Sequence, residues 1–65
     1  MSEIPTAPCE RILRKANIDR VSDDAAAALR DILEEIGQDI AERAAKLARH
    51  AGRVTIKAED VKLAK

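Results

Sequence analysis

The feature that most constrains this 65-residue chain is an apolar stripe that repeats at helical spacing through its middle. Between Ser22 and Gly52, leucine, isoleucine and alanine recur at intervals of three and four residues, and Gly37 is the one glycine in between. Ser22 is a favourable N-cap, and Gly52 is a favourable C-terminal stop. The pattern predicts one helix from Asp23 to His50, about 42 Å long at 1.5 Å per residue.

Such a helix is too long for one small chain to cover. A compact chain of 65 residues has a radius of gyration of about 11 Å. Two short flanking segments cannot bury the whole apolar stripe. A chain of this length is only marginally stable without a disulfide, a bound metal or a partner chain. The sequence therefore predicts an intertwined dimer, in which a second chain covers the rest of the stripe.

The flanking segments are short. A helix is predicted from about Ala7 to Ala16, followed by a loop over Asn17–Val21. Arg53–Ile56 is rich in β-branched residues and is predicted to be extended, and a last short helix opens at Ala58. We expect an all-α fold of one domain, residues 1–65, in the order short helix, loop, long central helix, loop, short helix.

Composition excludes several classes of function. Cys9 and His50 are the only residues of their types, so no disulfide within one chain is expected, nor a Cys/His metal site. We expect no cofactor and no enzymatic activity, because no nucleophile–base arrangement or phosphate-cradling glycine loop is present. The absence of aromatic residues excludes stacking platforms for single-stranded nucleic acid. No signal peptide or membrane span is predicted, and a cytoplasmic protein is expected.

The formal net charge of zero, from twelve basic and twelve acidic residues, argues against DNA binding unless the charges are segregated. They are segregated along the sequence. Most acidic residues fall on the long helix. Six basic residues fall in the first helix and the two loops: Arg11, Arg14, Lys15, Arg20, Arg53 and Lys57. A basic rim can therefore exist beside an acidic flank.

Three segments together resemble archaeal histones over almost the whole chain. Ile4–Pro8 resembles their approach to the first helix, Arg20–Asp24 their first loop, and Leu47–Val61 their second loop and the start of their third helix. The resemblance implies the histone fold, in which two chains clasp in a handshake dimer. It also implies that first and second loops of opposite chains pair into DNA sites, and that dimers join through a four-helix bundle.

The resemblance implies roles for individual residues in DNA binding. Arg20 would enter the minor groove, where arginine binds without reading bases. Thr55 would orient Arg20 of the partner chain. The full expected DNA-binding set is Arg11, Arg14, Arg20, Arg53, Thr55 and Lys57. Two departures from the family pattern, Val54 in place of a common lysine and Asn17 in place of a common glycine, imply weaker binding or shorter assemblies.

Other residues would have structural roles in such a histone. Arg53 and Asp60 resemble an internal ion pair that ties the second loop to the third helix. Leu47, His50, Asp60 and Leu63 resemble a dimer–dimer interface, in which His50 would donate a hydrogen bond to Asp60 of a neighbouring dimer.

The expected function is that of an archaeal-type histone, which binds and wraps double-stranded DNA without sequence specificity. Its expected partners are DNA and a second copy or a paralogue, with dimers assembling into tetramers or a superhelix on the chromosome. The alternative is a histone-fold protein that dimerises within a transcription-related complex. The Arg20–Thr55 pair discriminates between them, because the pair is useful for wrapping DNA and unnecessary for dimerisation.

Overall fold

A computed structural model describes residues 3–65 as three helices without a strand: α1 (Thr6–Arg14), α2 (Asp23–His50) and α3 (Ala58–Ala64). Their lengths are 9, 28 and 7 residues. The predicted all-α order of a short, a long and a short helix is confirmed. None of the three helices is both long enough and apolar enough to cross a membrane.

The long helix α2 begins where its capping residue predicts. The Ser22 hydroxyl oxygen accepts a hydrogen bond from the backbone N–H of Ala25 at 3.1 Å, and the Ser22 carbonyl accepts the first helical bond from Ala26. Asp23 and Asp24 occupy the first turn, where the helix dipole favours negative charge. The cap and the acidic turn together set the start of the helix.

The long helix also ends at the predicted residue, because the backbone reverses at Gly52. Gly52 has a φ of +75°, in the left-handed region that favours glycine. Its N–H donates to the carbonyl of Arg49, and the N–H of Arg53 donates to the carbonyl of Ala48, both at 2.9 Å. This pair of bonds is the Schellman motif, which satisfies carbonyls that a helix end would leave unpaired.

The first helix ends earlier than its prediction to Ala16, because its last turn tightens. The N–H of Lys15 is shared between the carbonyls of Arg11 and Ile12, at 3.2 Å each. The next bonds span three residues instead of four, and the turn closes at Asn17 with a φ of +65°. Asparagine tolerates this left-handed conformation better than most residues, although glycine adopts it more readily.

The second loop is bent, so the prediction of an extended segment over Arg53–Ile56 is wrong. Bends occur at Val54 and Thr55, and no strand forms there. The reason is a side-chain bond: an Nη1–H of Arg53 donates to the carbonyl of Thr55 at 3.1 Å. This bond folds the chain back toward α3, and residues 3–65 contain no second strand with which the β-branched run could pair.

The described residues pack as two compact units, one ending at Glu35 and the other comprising Ile36–Lys65. The buried apolar residues are small: Cys9 and Ala26 in the first unit, and Ala44, Ala48 and Ala64 in the second. Nine large aliphatic side chains remain more than a third exposed, namely Ile12, Ile18, Ile32, Ile36, Leu47, Val54, Ile56, Val61 and Leu63. Soluble single chains rarely expose this much large apolar surface without a partner to cover it.

Candidate nucleic-acid interface

The first loop presents Arg20 to solvent beside the start of α2. Arg20 is exposed and lies two residues before the Ser22 cap. Its neighbours in a shallow concavity are mostly apolar, among them Leu13, Ile18 and Val21. An arginine with apolar neighbours can pack its methylene groups against them while its guanidinium reaches a phosphate or the edge of a DNA groove.

The first helix carries two exposed arginines, and one of them has an acidic partner. Arg14 donates from Nη2 to Glu10 Oε1 at 2.6 Å, one helical turn away, and both side chains are substantially exposed. Arg11 is exposed as well. The Glu10–Arg14 spacing of four residues was readable in the sequence, and a surface pair of this kind contributes little to stability. A phosphate can therefore displace Glu10 at low cost.

The second loop is organised by a bidentate ion pair. Arg53 donates from Nη1 to Asp60 Oδ2 and from Nη2 to Asp60 Oδ1, both at 2.9 Å. With the bond to the Thr55 carbonyl, three of the five guanidinium N–H groups are engaged inside the chain. Its side chain is 27% exposed, so the remaining donors can still face solvent. Arg53 and Asp60 thus form the ion pair that the resemblance implied.

Asp60 is a buried charged residue of the second unit, and its carboxylate is held by hydrogen bonds. It is 3% exposed, and its Oδ2 also accepts the backbone N–H of Lys57 at 2.8 Å. Lys57 is the N-cap of α3 and Asp60 is its third residue, so this bond satisfies one of the unpaired N–H groups at the helix start. The Arg53 hydrogen bonds, followed by the Lys57 N–H, lower the pKa of Asp60 to about 2. The same Asp60 hydrogen bonds raise the pKa of Arg53.

The remaining predicted residues of the second loop face solvent. Thr55 and Lys57 are exposed, and Val54 is the most exposed large apolar residue among those that the structure describes. Arg53 holds the backbone carbonyl of Thr55, and Asp60 holds the backbone N–H of Lys57. Two side chains therefore hold the backbone of the loop by hydrogen bonds, while the side chains of Thr55 and Lys57 remain exposed.

Three of the four residues expected at a dimer–dimer interface lie on one surface. Leu47, His50 and Leu63 line a concavity at the end of α2 and α3. Asp60 does not line it, because its carboxylate is turned toward Arg53. Asp60 Oδ1 accepts one bond inside the chain and retains one acceptor position.

Sequence reasoning missed two contacts that span many residues. The Glu34 carboxylate accepts the backbone N–H of Glu3 at 2.5 Å and that of Ile4 at 2.7 Å, which ties these two residues to α2. Arg43 donates from Nε to the carbonyl of Ala64 at 2.8 Å and so caps the C-terminal end of α3. No local pattern predicts either contact, because the partners are 21 to 31 residues apart.

Comparison with known proteins gives the family. The family model of histone-like transcription factors (CBF/NF-Y) and archaeal histones matches residues 2–64. The chain is 55% identical over 64 residues to one of the subunits of archaeal histone HAN1 from Thermococcus zilligii, and 52% identical over 64 residues to probable archaeal histone 3 from Methanocaldococcus jannaschii. Each alignment covers 98% of this chain and 96% of the relative. With its short, long and short helices in order, the chain belongs to the histone-fold family of histone-like transcription factors and archaeal histones.

Proposed function

We propose that this chain is an archaeal histone that binds double-stranded DNA through the phosphate backbone and compacts it without reading its sequence. The observation that carries the proposal is the near-complete alignment with two proteins named archaeal histones, at 52% and 55% identity. These names favour a histone over the alternative of a protein that dimerises within a transcription-related complex. Packaging DNA is a binding function, and no enzymatic activity is proposed.

The functional unit of this proposal is a single histone-fold domain, residues 1–65, that dimerises. Support comes from the large aliphatic side chains that the single chain leaves more than a third exposed, including Ile32 and Ile36 on α2. Burying such a side chain fully stabilises a structure by about 1.5–3 kcal/mol relative to leaving it exposed. A second chain laid across α2 in a handshake would cover this surface, and a paralogue could take the place of the second copy.

In the proposed complex, exposed cations make the DNA contacts. Arg20 enters the minor groove, and Arg11, Arg14 and Lys57 bind phosphates. Thr55 orients Arg20 of the partner chain. Arg53 contributes less than the other cations, since three of its N–H groups are engaged inside the chain.

Dimers would assemble further, into tetramers or a longer superhelix on the chromosome. The proposed contact uses Leu47, His50 and Leu63, which share one surface, with Asp60 behind them. His50 of one dimer would donate to the acceptor position that Asp60 Oδ1 retains. The proposed cellular location is the nucleoid, as follows from binding to the chromosome.

DNA binding across a salt series tests the proposal. If the four exposed cations, Arg11, Arg14, Arg20 and Lys57, act in both chains, about eight DNA charges are neutralised per dimer, about six by direct phosphate contacts and about two from the minor groove. The slope of log K against log salt concentration should then be about −7, at about 0.9 per phosphate contact. Duplexes of unrelated sequence should give the same affinity and slope. The measurement is fluorescence anisotropy of labelled DNA, because the protein has no aromatic residue.

Matched variants identify the contacts. Arg20→Gln should flatten the slope by about 1.8 per dimer, since two contacts are lost. Arg49→Gln, which removes an exposed arginine outside the proposed set, should leave the slope unchanged. Absence of binding at low salt would refute the proposed function, and equal slopes for the two variants would refute the role of Arg20.

A further inference from the structure

Four charged residues of α1 and its C-cap form two pairs at a spacing of four residues. Glu10 and Arg14 form one pair, and Arg11 and the C-cap residue Lys15 form the other. Side chains four residues apart are neighbours on the surface of a helix. The first pair combines opposite charges and the second combines like charges. The positive charge of α1 is therefore compensated at Arg14 and uncompensated at Arg11 and Lys15.

The opposite-charge pair is formed in the single chain, before any DNA binds. Arg14 donates from Nη2 to Glu10 Oε1 at 2.6 Å. Glutamate on the N-terminal side of the cation is the more favourable orientation of such a pair. The side chain of Arg14 is 57% exposed and that of Glu10 is 38% exposed, so a phosphate can approach the guanidinium and meets the carboxylate beside it.

Arg14 differs in this respect from the other exposed cations that are proposed to bind DNA. Arg11, Arg20 and Lys57 are exposed as well, and none of them forms an ion pair with another residue of the range 3–65. A phosphate that binds one of these three displaces no carboxylate of the described chain. A phosphate that binds Arg14 meets a carboxylate already in place.

The carboxylate of Glu10 also differs from that of Asp60, which pairs with Arg53. Asp60 is buried and holds the backbone N–H of Lys57 as well, so its pairing shapes the second loop. Glu10 is part-exposed, and its hydrogen bond to Arg14 is its only one within residues 3–65. The Glu10–Arg14 pair therefore holds no backbone in place, and its main effect is on the charge that Arg14 presents.

A phosphate and the Glu10 carboxylate compete for Arg14 because both are anions. A guanidinium can offer different N–H groups to two acceptors, but two like charges at one guanidinium repel each other. DNA binding at Arg14 therefore either displaces Glu10 or leaves its carboxylate beside a phosphate. Either outcome reduces the free energy gained at this contact.

We propose that Glu10 competes with DNA for Arg14 and thereby limits the affinity of the α1 contact. The proposal rests on the proposed function, in which Arg11 and Arg14 bind phosphates, and it adds a residue that opposes this binding. Arg11 binds a phosphate without losing an ion pair, whereas Arg14 exchanges one anion for another. The α1 contact is therefore weaker than its number of cations suggests.

Glu10→Gln tests the proposal, because it removes the negative charge and nearly preserves the shape of the side chain. Releasing one exposed helical ion pair in each chain of a dimer should raise DNA affinity about threefold to fivefold at about 50 mM salt. The gain should be smaller at about 200 mM salt, where exposed charges are screened more strongly. Glu42→Gln is the matched control, since Glu42 is exposed on α2 and forms no ion pair within residues 3–65. Its affinity, measured by the same anisotropy of labelled DNA, should stay close to that of the parent.

A double-mutant cycle shows whether Glu10 acts through Arg14. In an Arg14→Gln background the gain from Glu10→Gln should disappear, because the cation for which the two anions compete is gone. An equal gain in both backgrounds would assign the effect to general repulsion and overturn the proposal. An affinity of Glu10→Gln that equals that of the parent or of Glu42→Gln would also overturn it. The salt series of the parent reports DNA binding by itself, so failure of this proposal and failure of the proposed function remain distinguishable.

Discussion

Replacing Gly52 by alanine tests the junction between α2 and the second loop. Gly52 lies at the point where the chain leaves α2 and turns into the Arg53–Lys57 loop, with a φ of +75°. A methyl group built at this position meets no atom within 4 Å. The cost of the substitution is therefore one of backbone conformation and not of collision.

The magnitude follows from that conformation. A non-glycine residue in the left-handed region costs about 1–2 kcal/mol relative to the right-handed region. When unfolding is coupled to dissociation of the dimer, both chains carry the substitution, and the free energy of unfolding falls by about 2–4 kcal/mol per dimer. This is a large fraction of the stability of a small protein.

Gly37→Ala is the matched control, because it makes the same chemical change inside α2. A methyl group at Gly37 also meets nothing within 4 Å, and the backbone there is helical. Alanine should stabilise the helix here by about 0.5–1 kcal/mol per chain. The assay is urea unfolding followed by circular dichroism at several protein concentrations, since the chain lacks aromatic fluorophores.

The two variants should therefore change stability in opposite directions. A Gly52→Ala protein as stable as the parent would refute the argument from backbone strain. A destabilised Gly37→Ala protein would show that a partner chain approaches the α2 backbone at Gly37, as a close helix crossing requires. DNA affinity at a fixed temperature below the unfolding transition should fall for Gly52→Ala, because the geometry of the second loop depends on this turn.

Three further predictions concern single contacts. Ser22→Ala should cost about 1 kcal/mol per chain by thermal unfolding, while Ser22→Asp should retain the cap and its stability. Because the pKa of Asp60 is lowered to about 2, its contribution to stability is complete above about pH 4 and is lost as the pH falls toward 2. The free energy of unfolding of Asp60→Asn, followed over the same acid range, should lack this loss. Identical curves of unfolding free energy against pH for the parent and the variant would contradict the ion-pair assignment. Glu34→Ala should speed hydrogen exchange at the Ile4 amide at least tenfold, as expected for loss of a charged hydrogen bond of about 1.5–3 kcal/mol, whereas Glu35→Ala should leave it unchanged.

The bounds of α2 could be predicted because helix ends are coded locally. The Ser22 cap and the Gly52 reversal each depend on bonds to residues three to five positions away. The second loop was predicted wrongly because its conformation depends on more than local preference. Its β-branched residues favour extended backbone, but the side chain of Arg53 bends the segment through bonds to Thr55 and Asp60.

The candidate site was predictable in part. Residue types and family resemblance identified Arg20, Thr55 and Lys57, and all three are exposed. Neither source indicated whether Arg14 is engaged in the single chain, although its spacing of four residues from Glu10 permits the ion pair that forms. Whether a basic side chain forms an ion pair within the chain depends on side-chain geometry, which the residue type alone does not specify.

Periodicity, caps and chain length were enough to predict three helices and the bounds of α2. They also predicted an apolar stripe that one chain cannot bury. These features could be predicted because they are local patterns or simple counts. Packing then selected which charges remain available. It engaged Arg53 with Asp60, tied Glu34 to the backbone of Ile4, and bonded Arg43 to the end of α3. Contacts between residues 21 to 31 positions apart form only once packing has brought the partners together, at a separation that no repeat in the chain encodes.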